Sequence, residues 1–202
     1  MQLNNSISFN FYKRVFDIFF SGVGLILFAP VIIFTWLIAT IETKSNGFFI
    51  QERVGRFGNI FLLIKIKTMI PYSGITTNVT SSRDIRITRS GAFFRKTKID
   101  ELPQLWNILV GHMSFVGPRP DVKGYADQLQ GDDRIVLSIR PGITGPASLK
   151  YKHEEEILSS ATNPELYNDT IIWPDKVKIN IDYVLNYTFR KDIEYIIKTI
   201  KG

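Results

Sequence analysis

No cysteine occurs among the 202 residues, which excludes a disulfide framework and any cysteine-ligated zinc or iron–sulfur site. Histidine is nearly as scarce, with only His112 and His153. Neither has a second histidine four residues away, so His153-Glu154-Glu155-Glu156 reads as a solvated charge run rather than a metal site. Charge is missing altogether between Ile18 and Ile41. That run is too long for the apolar part of a signal peptide, and no small-residue cleavage site follows it. As a helix it would reach about 36 Å, enough for a bilayer core.

Pro30 lies near the middle of this run, where it removes a helix hydrogen bond and favours a kink. The segment either spans with a kink or enters and leaves by one face. Lys13 and Arg14 precede it, and Lys44, Arg53, Arg56, Lys65 and Lys67 follow it. Basic residues at both ends are what a cytoplasmic location of both ends would produce, so re-entry is the expectation. Over the whole chain 25 Lys and Arg stand against 19 Asp and Glu, a net charge of +6. Such a surface suits nucleic acid, anionic lipid or phosphorylated substrates.

After Glu42 the pattern turns β-like. GFFIQERVG and NIFLLIKIKTM are joined around Arg56-Phe57-Gly58-Asn59, which predicts a hairpin with Lys65 and Lys67 on one face. Residues 71–83 are rich in Pro, Ser and Thr and read as a loop. Glycosylation sequons at Asn78, Asn168 and Asn186 read as chance matches.

The chemistry concentrates in residues 95–120, RKTKIDELPQLWNILVGHMSFVGPRP. Thr97 is placed to cap a helix, with Asp100 as its capping-box partner. Ile99, Leu102, Leu105, Trp106, Ile108 and Leu109 then recur at helical spacing up to Gly111. This predicts Asp100 and Glu101 at a helix N-terminus, both ionised and free to attack or to hold a metal. Arg95 stands upstream, and Arg119 is mounted between Pro118 and Pro120. Proline on either side stiffens the mount of a guanidinium that can grip phosphate oxygens in pairs. Arg140, beside Pro141-Gly142, repeats the device. Residues 121–138 look helical. The tail from Pro174 ends with Ile193, Ile196, Ile197 and Ile200 on one face, suited equally to a core or to an anionic membrane.

One apolar segment, KIKTM, RITRSG…FRKTKIDELPQLWNIL, SFVGPRPD and IRPGITG follow one another in this order. The combination resembles the small monotopic phosphoglycosyl transferases of the bacterial sugar transferase family, closely over residues 13–150 and more loosely beyond. The resemblance implies an α+β fold in two parts. Residues 1–42 would hold a re-entrant membrane helix broken at Pro30. Residues 43–202 would form a small, mostly helical catalytic domain with a short β-hairpin and interfacial amphipathic helices, on the cytoplasmic face of the inner membrane. It implies transfer of a phosphosugar from a UDP-sugar to undecaprenyl phosphate, releasing UMP, with Mg²⁺ as cofactor. By resemblance Asp100 is the nucleophile that becomes an aspartyl phosphosugar, and Glu101 shares the Mg²⁺ and takes a proton. Pro118-Arg119-Pro120 would lie near the nucleotide, with Arg95, Arg140 and Lys65 as further substrate-binding residues. The partners implied are the UDP-sugar, undecaprenyl phosphate and membrane lipids, and no nucleic acid. The rival is a non-enzymatic, membrane-anchored basic module that binds nucleic acid or acidic partners. Two positions depart from the family pattern: Ala29 stands where relatives have a serine before the proline, and Asn180-Ile181-Asp182-Tyr183 replaces an Asp-x-Tyr-Tyr pattern.

Overall fold

The computed structural model describes residues 2–70 and 84–202, with side chains from residue 11 onward. The expected loop 71–83, with Asn78 and Arg83, lies outside the described residues.

The first element, α1, runs Gln2–Thr43 and stays helical on both sides of Pro30. Its part Phe11–Thr43 is the one helix among the described residues long and apolar enough to cross a membrane. Ile26, Leu27 and Ile41 are 67–80% exposed, an apolar surface that needs cover. Its hydroxyls are spent within the helix. Ser21, Thr35, Thr40 and Thr43 each donate to the carbonyl four residues back, which leaves none of the four unpaired in apolar surroundings.

The hairpin forms as expected. Strands β1 (Phe48–Val54) and β2 (Ile60–Ile66) pair antiparallel around the turn Arg56–Gly58. Phe57 and Gly58 turn there with φ of 61° and 81°. Along β2, Phe61 and Leu63 are buried while Ile60 and Leu62 are exposed, so one face packs inward.

Helix α2 (Arg89–Thr97) begins at Thr88, whose hydroxyl accepts from the Gly91 amide at 2.9 Å. The expected cap at Thr97 does not form. Thr97 ends α2, and its hydroxyl donates to the Phe93 carbonyl at 2.8 Å. The residues before the acidic pair make a helix of their own, so the pair falls in the connection. Lys98, in the left-handed region at φ 58°, turns the chain into a single 3₁₀ turn, Ile99–Glu101. Helix α3 (Gln104–Val110) follows and stops at Gly111, φ 96°, as its residue type predicts.

A parallel strand pair, β3 (Ser114–Val116) and β4 (Gly142–Thr144), is not foreseen by the periodicity. The helix expected over 121–138 is replaced by two 3₁₀ segments, Ala126–Gln128 and Gly131–Ser138. Only Ala126, Leu129, Val136 and Leu137 are buried there, too few to hold an α-helix of that length against the core. Short helices α4 (Pro146–Lys150), α5 (Glu154–Ser160) and α6 (Pro164–Tyr167) lead through a π turn, Asn168–Ile172, into α7 (Trp173–Leu185) and α8 (Phe189–Lys201). On α8, Ile193 and Ile196 are half-buried while Ile197 and Ile200 are exposed, alongside Lys198 and Lys201 near its end.

The core under the acidic pair is made by Phe61, Leu63, Leu105, Ile108 and Met113, with Leu25 of α1 packed against it. Gly24 lets α3 lie close on α1, because a Cβ there would come within 3.1 Å of the Leu105 side chain. Asn107 fastens α3 to β2. Its amide donates to the Leu62 carbonyl at 2.7 Å and its carbonyl accepts from the Ile64 amide at 3.1 Å. Asn107→Leu leaves both backbone groups without that partner, and we expect a stability loss of about 2–4 kcal/mol in thermal unfolding.

Candidate active site

Two separate elements converge on Glu101. The Nζ of Lys65, on β2, lies 2.9 Å from its Oε1, and the Nη2 of Arg119, on the loop after β3, lies 3.1 Å from the same atom. The mount of Arg119 is held by backbone bonds on either side. The Gly117 amide donates to the Thr144 carbonyl at 2.9 Å, and the Gly142 amide to the Pro118 carbonyl at 2.8 Å. The Arg53 guanidinium donates to the Pro120 carbonyl at 3.1 Å, and the Val54 amide to Asp121 at 2.9 Å. Arg119 itself is 47% exposed at the side chain, so it reaches both Glu101 and the open face.

Asp100 is buried, and its Oδ1 has no hydrogen-bond partner among the described residues. The two neighbouring carboxylates therefore differ, where the sequence predicted two ordinary ionised groups. Burial, and then the charge of Glu101, push Asp100 up to about 6. Burial acts upward on Glu101 too, but Arg119 and Lys65 outweigh it and hold that carboxyl well below the usual range. Burial also lowers Lys65, in spite of its ion pair with Glu101. The result is one firmly ionised carboxylate, already neutralised by two cations, beside one poorly solvated carboxylate with a bare oxygen. A nucleophile needs the second kind of oxygen.

Among the described residues no group of three or more His, Asp or Glu is placed to hold a metal. The oxygen donors of Asp100 and Glu101 suit a hard ion that keeps water and completes its shell with substrate phosphate. The unpartnered Oδ1 is the atom available for it.

The other expected site residues are spread around this centre. Lys65, Pro118, Arg119 and Pro120 come together at the pair. Arg95 acts on Asp100 through its charge, while its Nη2 lies 2.6 Å from Glu155 of α5. Arg140 belongs elsewhere: its Nε donates to the Gly111 carbonyl at 2.8 Å, at the far end of α3. Arg14 binds the Ile108 and Leu109 carbonyls there at 2.6 and 2.7 Å, so two guanidiniums cap the negative end of that helix. The acidic run at 154–156 is not simply solvated. Glu154 pairs with Lys176 and Glu155 with Arg95, each at 2.6 Å, and only Glu156 is largely free in solvent. Arg53 and Asp121 were missed. Burial raises Asp121 to about 6 despite Lys176, Arg53 and Arg119 around it. The one available signal was Asp121's place directly after Pro118-Arg119-Pro120.

Known proteins resemble the chain over nearly its whole length. The family model described as bacterial sugar transferase matches residues 8–202. An undecaprenyl-phosphate galactose phosphotransferase of Salmonella typhimurium is 33% identical over 96% of the chain and 40% of its own length. A UDP-N-acetylgalactosamine-undecaprenyl-phosphate N-acetylgalactosaminephosphotransferase of Aeromonas hydrophila is 30% identical over 95% of the chain and 43% of its own. A UDP-glucose:undecaprenyl-phosphate glucose-1-phosphate transferase of Caulobacter vibrioides is 30% identical, over 93% and 68%. The chain thus spans less than half the length of the first two of these relatives.

An acid whose pKa is raised on folding costs stability once it ionises in the folded state. For Asp100 that cost is absent below its unfolded value, near 4, and is complete above about 6. In metal-free buffer, Asp100→Asn is expected to be more stable than the natural chain at pH 7.5, by up to about 3 kcal/mol. The difference should vanish near pH 4, as read from paired thermal unfolding curves.

Proposed function

The chain belongs to the bacterial sugar transferase family, and we propose that it is a phosphoglycosyl transferase carrying a phosphosugar from a UDP-sugar to undecaprenyl phosphate. The observation that carries this reading is the buried, unpartnered oxygen of Asp100 beside a Glu101 already neutralised by Lys65 and Arg119. In the proposed reaction an Asp100 oxygen attacks the sugar-bearing phosphorus of the diphosphate. The bond from that phosphorus to the bridging oxygen breaks, and UMP leaves. An oxygen of undecaprenyl phosphate then attacks the same phosphorus and releases the Asp100 carboxylate, giving undecaprenyl diphosphate sugar. Splitting the transfer replaces one difficult displacement by two easier ones.

Arg119, partly exposed on its braced mount, is set to take charge from the equatorial phosphate oxygens. Lys65 and Arg119 keep Glu101 ionised, a state that suits it to holding a cation and makes it a weak base for the proton of the lipid phosphate. Asp100 and Glu101 would hold Mg²⁺ with phosphate oxygens, and the ion would supply Lewis-acid stabilisation of the developing charge. Arg95 would turn from Glu155 to the donor.

A re-entrant α1 on the cytoplasmic face is part of the proposal. One body of the protein touches α1 at both ends. Near its start Lys13 reaches the Val116 carbonyl at 2.9 Å, and near its end Glu42 accepts from the Ser90 hydroxyl at 3.0 Å. A helix crossing a bilayer would put those ends on opposite sides. Both substrates then meet at the interface, the lipid from the apolar side and the nucleotide from the aqueous side.

Purified protein in detergent, given Mg²⁺, undecaprenyl phosphate and UDP-N-acetylgalactosamine, UDP-galactose or UDP-glucose, should release UMP. Release of UDP would overturn the mechanism. Asp100→Asn should fall to background, and Arg119→Ala should lose about 10²–10³-fold in rate. Without lipid acceptor, intact-mass analysis should find a phosphosugar adduct on the natural chain and none on Asp100→Asn.

A further inference from the structure

Asp192 lies on α8, outside the acidic pair, and is only 2% exposed. A carboxylate so buried must be paired. It accepts from three side chains: the Lys13 ammonium of α1, the Tyr183 hydroxyl at 2.6 Å and the Tyr187 hydroxyl at 2.9 Å. Lys13 does not stop there, and its Nζ also donates to the Val116 carbonyl at 2.9 Å. Val116 is the last residue of β3, three residues before Arg119. The intervening backbone has little slack. A Cβ on Gly117 would lie 2.4 Å from the Arg140 carbonyl oxygen, and Pro118 has a fixed φ. A second tie runs beside the first, from Thr199 on α8 to Thr144 on β4 at 2.6 Å, and Thr144 in turn holds the Gly117 amide.

We propose that Asp192 is a positioning residue for Arg119, acting through the Lys13 ammonium and the backbone of Val116. This rests on reading Asp100, Glu101 and Arg119 as the transfer site. Asp192 fixes the ammonium between two acceptors. Without it, the ammonium loses its one direct carboxylate partner, keeps the Val116 carbonyl, the Tyr187 ring and the more distant charge of Asp17, and is drawn away from Val116. Val116 then loses its anchor, and the guanidinium three residues on loses its register against Glu101. The C-terminal helix and the membrane helix thereby set the geometry of a site that neither of them lines.

The test uses the full chain in detergent, with the UDP-sugar that supports the fastest UMP release. Asp192→Asn and Lys13→Met should each lower kcat/KM by about 10–100-fold, the cost of misplacing a catalytic group by roughly 1 Å. Tyr183→Phe, which leaves two donors on Asp192, should lower it less. The deciding measurement is the double variant Asp192→Asn/Arg119→Ala. If Asp192 works through Arg119, the double variant is no slower than Arg119→Ala alone. Losses that multiply would overturn the proposal. Amide hydrogen exchange gives a readout independent of turnover: exchange at Gly117 should speed up at least severalfold in Asp192→Asn, with amides in α3 unchanged. Unchanged exchange at Gly117 would overturn the positioning even if the natural chain released no UMP, an outcome that would count against the transfer reading instead.

Discussion

A carboxylate taken out of water needs compensation, and for Glu101 that compensation comes from two cations on different parts of the chain. Lys65 arrives on a strand and Arg119 on a proline-bracketed loop, and both reach the same oxygen. The hairpin, the dyad turn and the loop after β3 must therefore sit in one arrangement or leave buried charge unpaired, a far costlier outcome than a lost surface ion pair. The same arrangement leaves Asp100 with a burial that the cations around it do not offset. Two adjacent acids thus acquire different chemistry from their neighbours rather than from their own structure.

Helix α1 is a bearing surface for the rest of the fold. Residues 13–17 carry a polar strip directed at the rest of the fold: Lys13 to Val116, Arg14 to the end of α3, and Asp17 to the Ser114 hydroxyl at 3.1 Å and the Phe115 amide at 3.2 Å. These contacts hold α3, which follows the acidic pair, and β3, which leads into the loop that carries Arg119. Between Ile18 and Ile41 the helix presents a long row of exposed apolar side chains, among them Phe19, Ile26, Leu27, Phe34 and Ile41. A site assembled this way stands close to whatever covers that surface, as a transfer between a lipid and a soluble nucleotide requires.

Much of the local structure was legible in residue order. The 24 uncharged residues from Ile18 to Ile41, the hairpin around Arg56 to Asn59 and the stop at Gly111 all appear where their residue types place them. Each depends on interactions within a few residues: apolar run length, turn residues in the left-handed region, loss of the helix pattern. The failures were also local in origin. Thr97 has the right type for a cap, but it already ends α2. Residues 121–138 carry helical spacing over too short a stripe to outlast the polar residues between.

What residue order determined by itself was the kind of chemistry: an acidic pair, an arginine between prolines, an excess of cations and one apolar segment. Tertiary structure alone decided which cation meets which anion. It sent Arg140 to cap a helix end, Arg119 and Lys65 to Glu101, and Lys13 across 179 positions to Asp192. Hydrophobic periodicity and turn propensity act over a handful of residues, whereas the partner of a buried charge is chosen by whichever elements the packed core brings beside it. Sequence spacing holds no record of that choice.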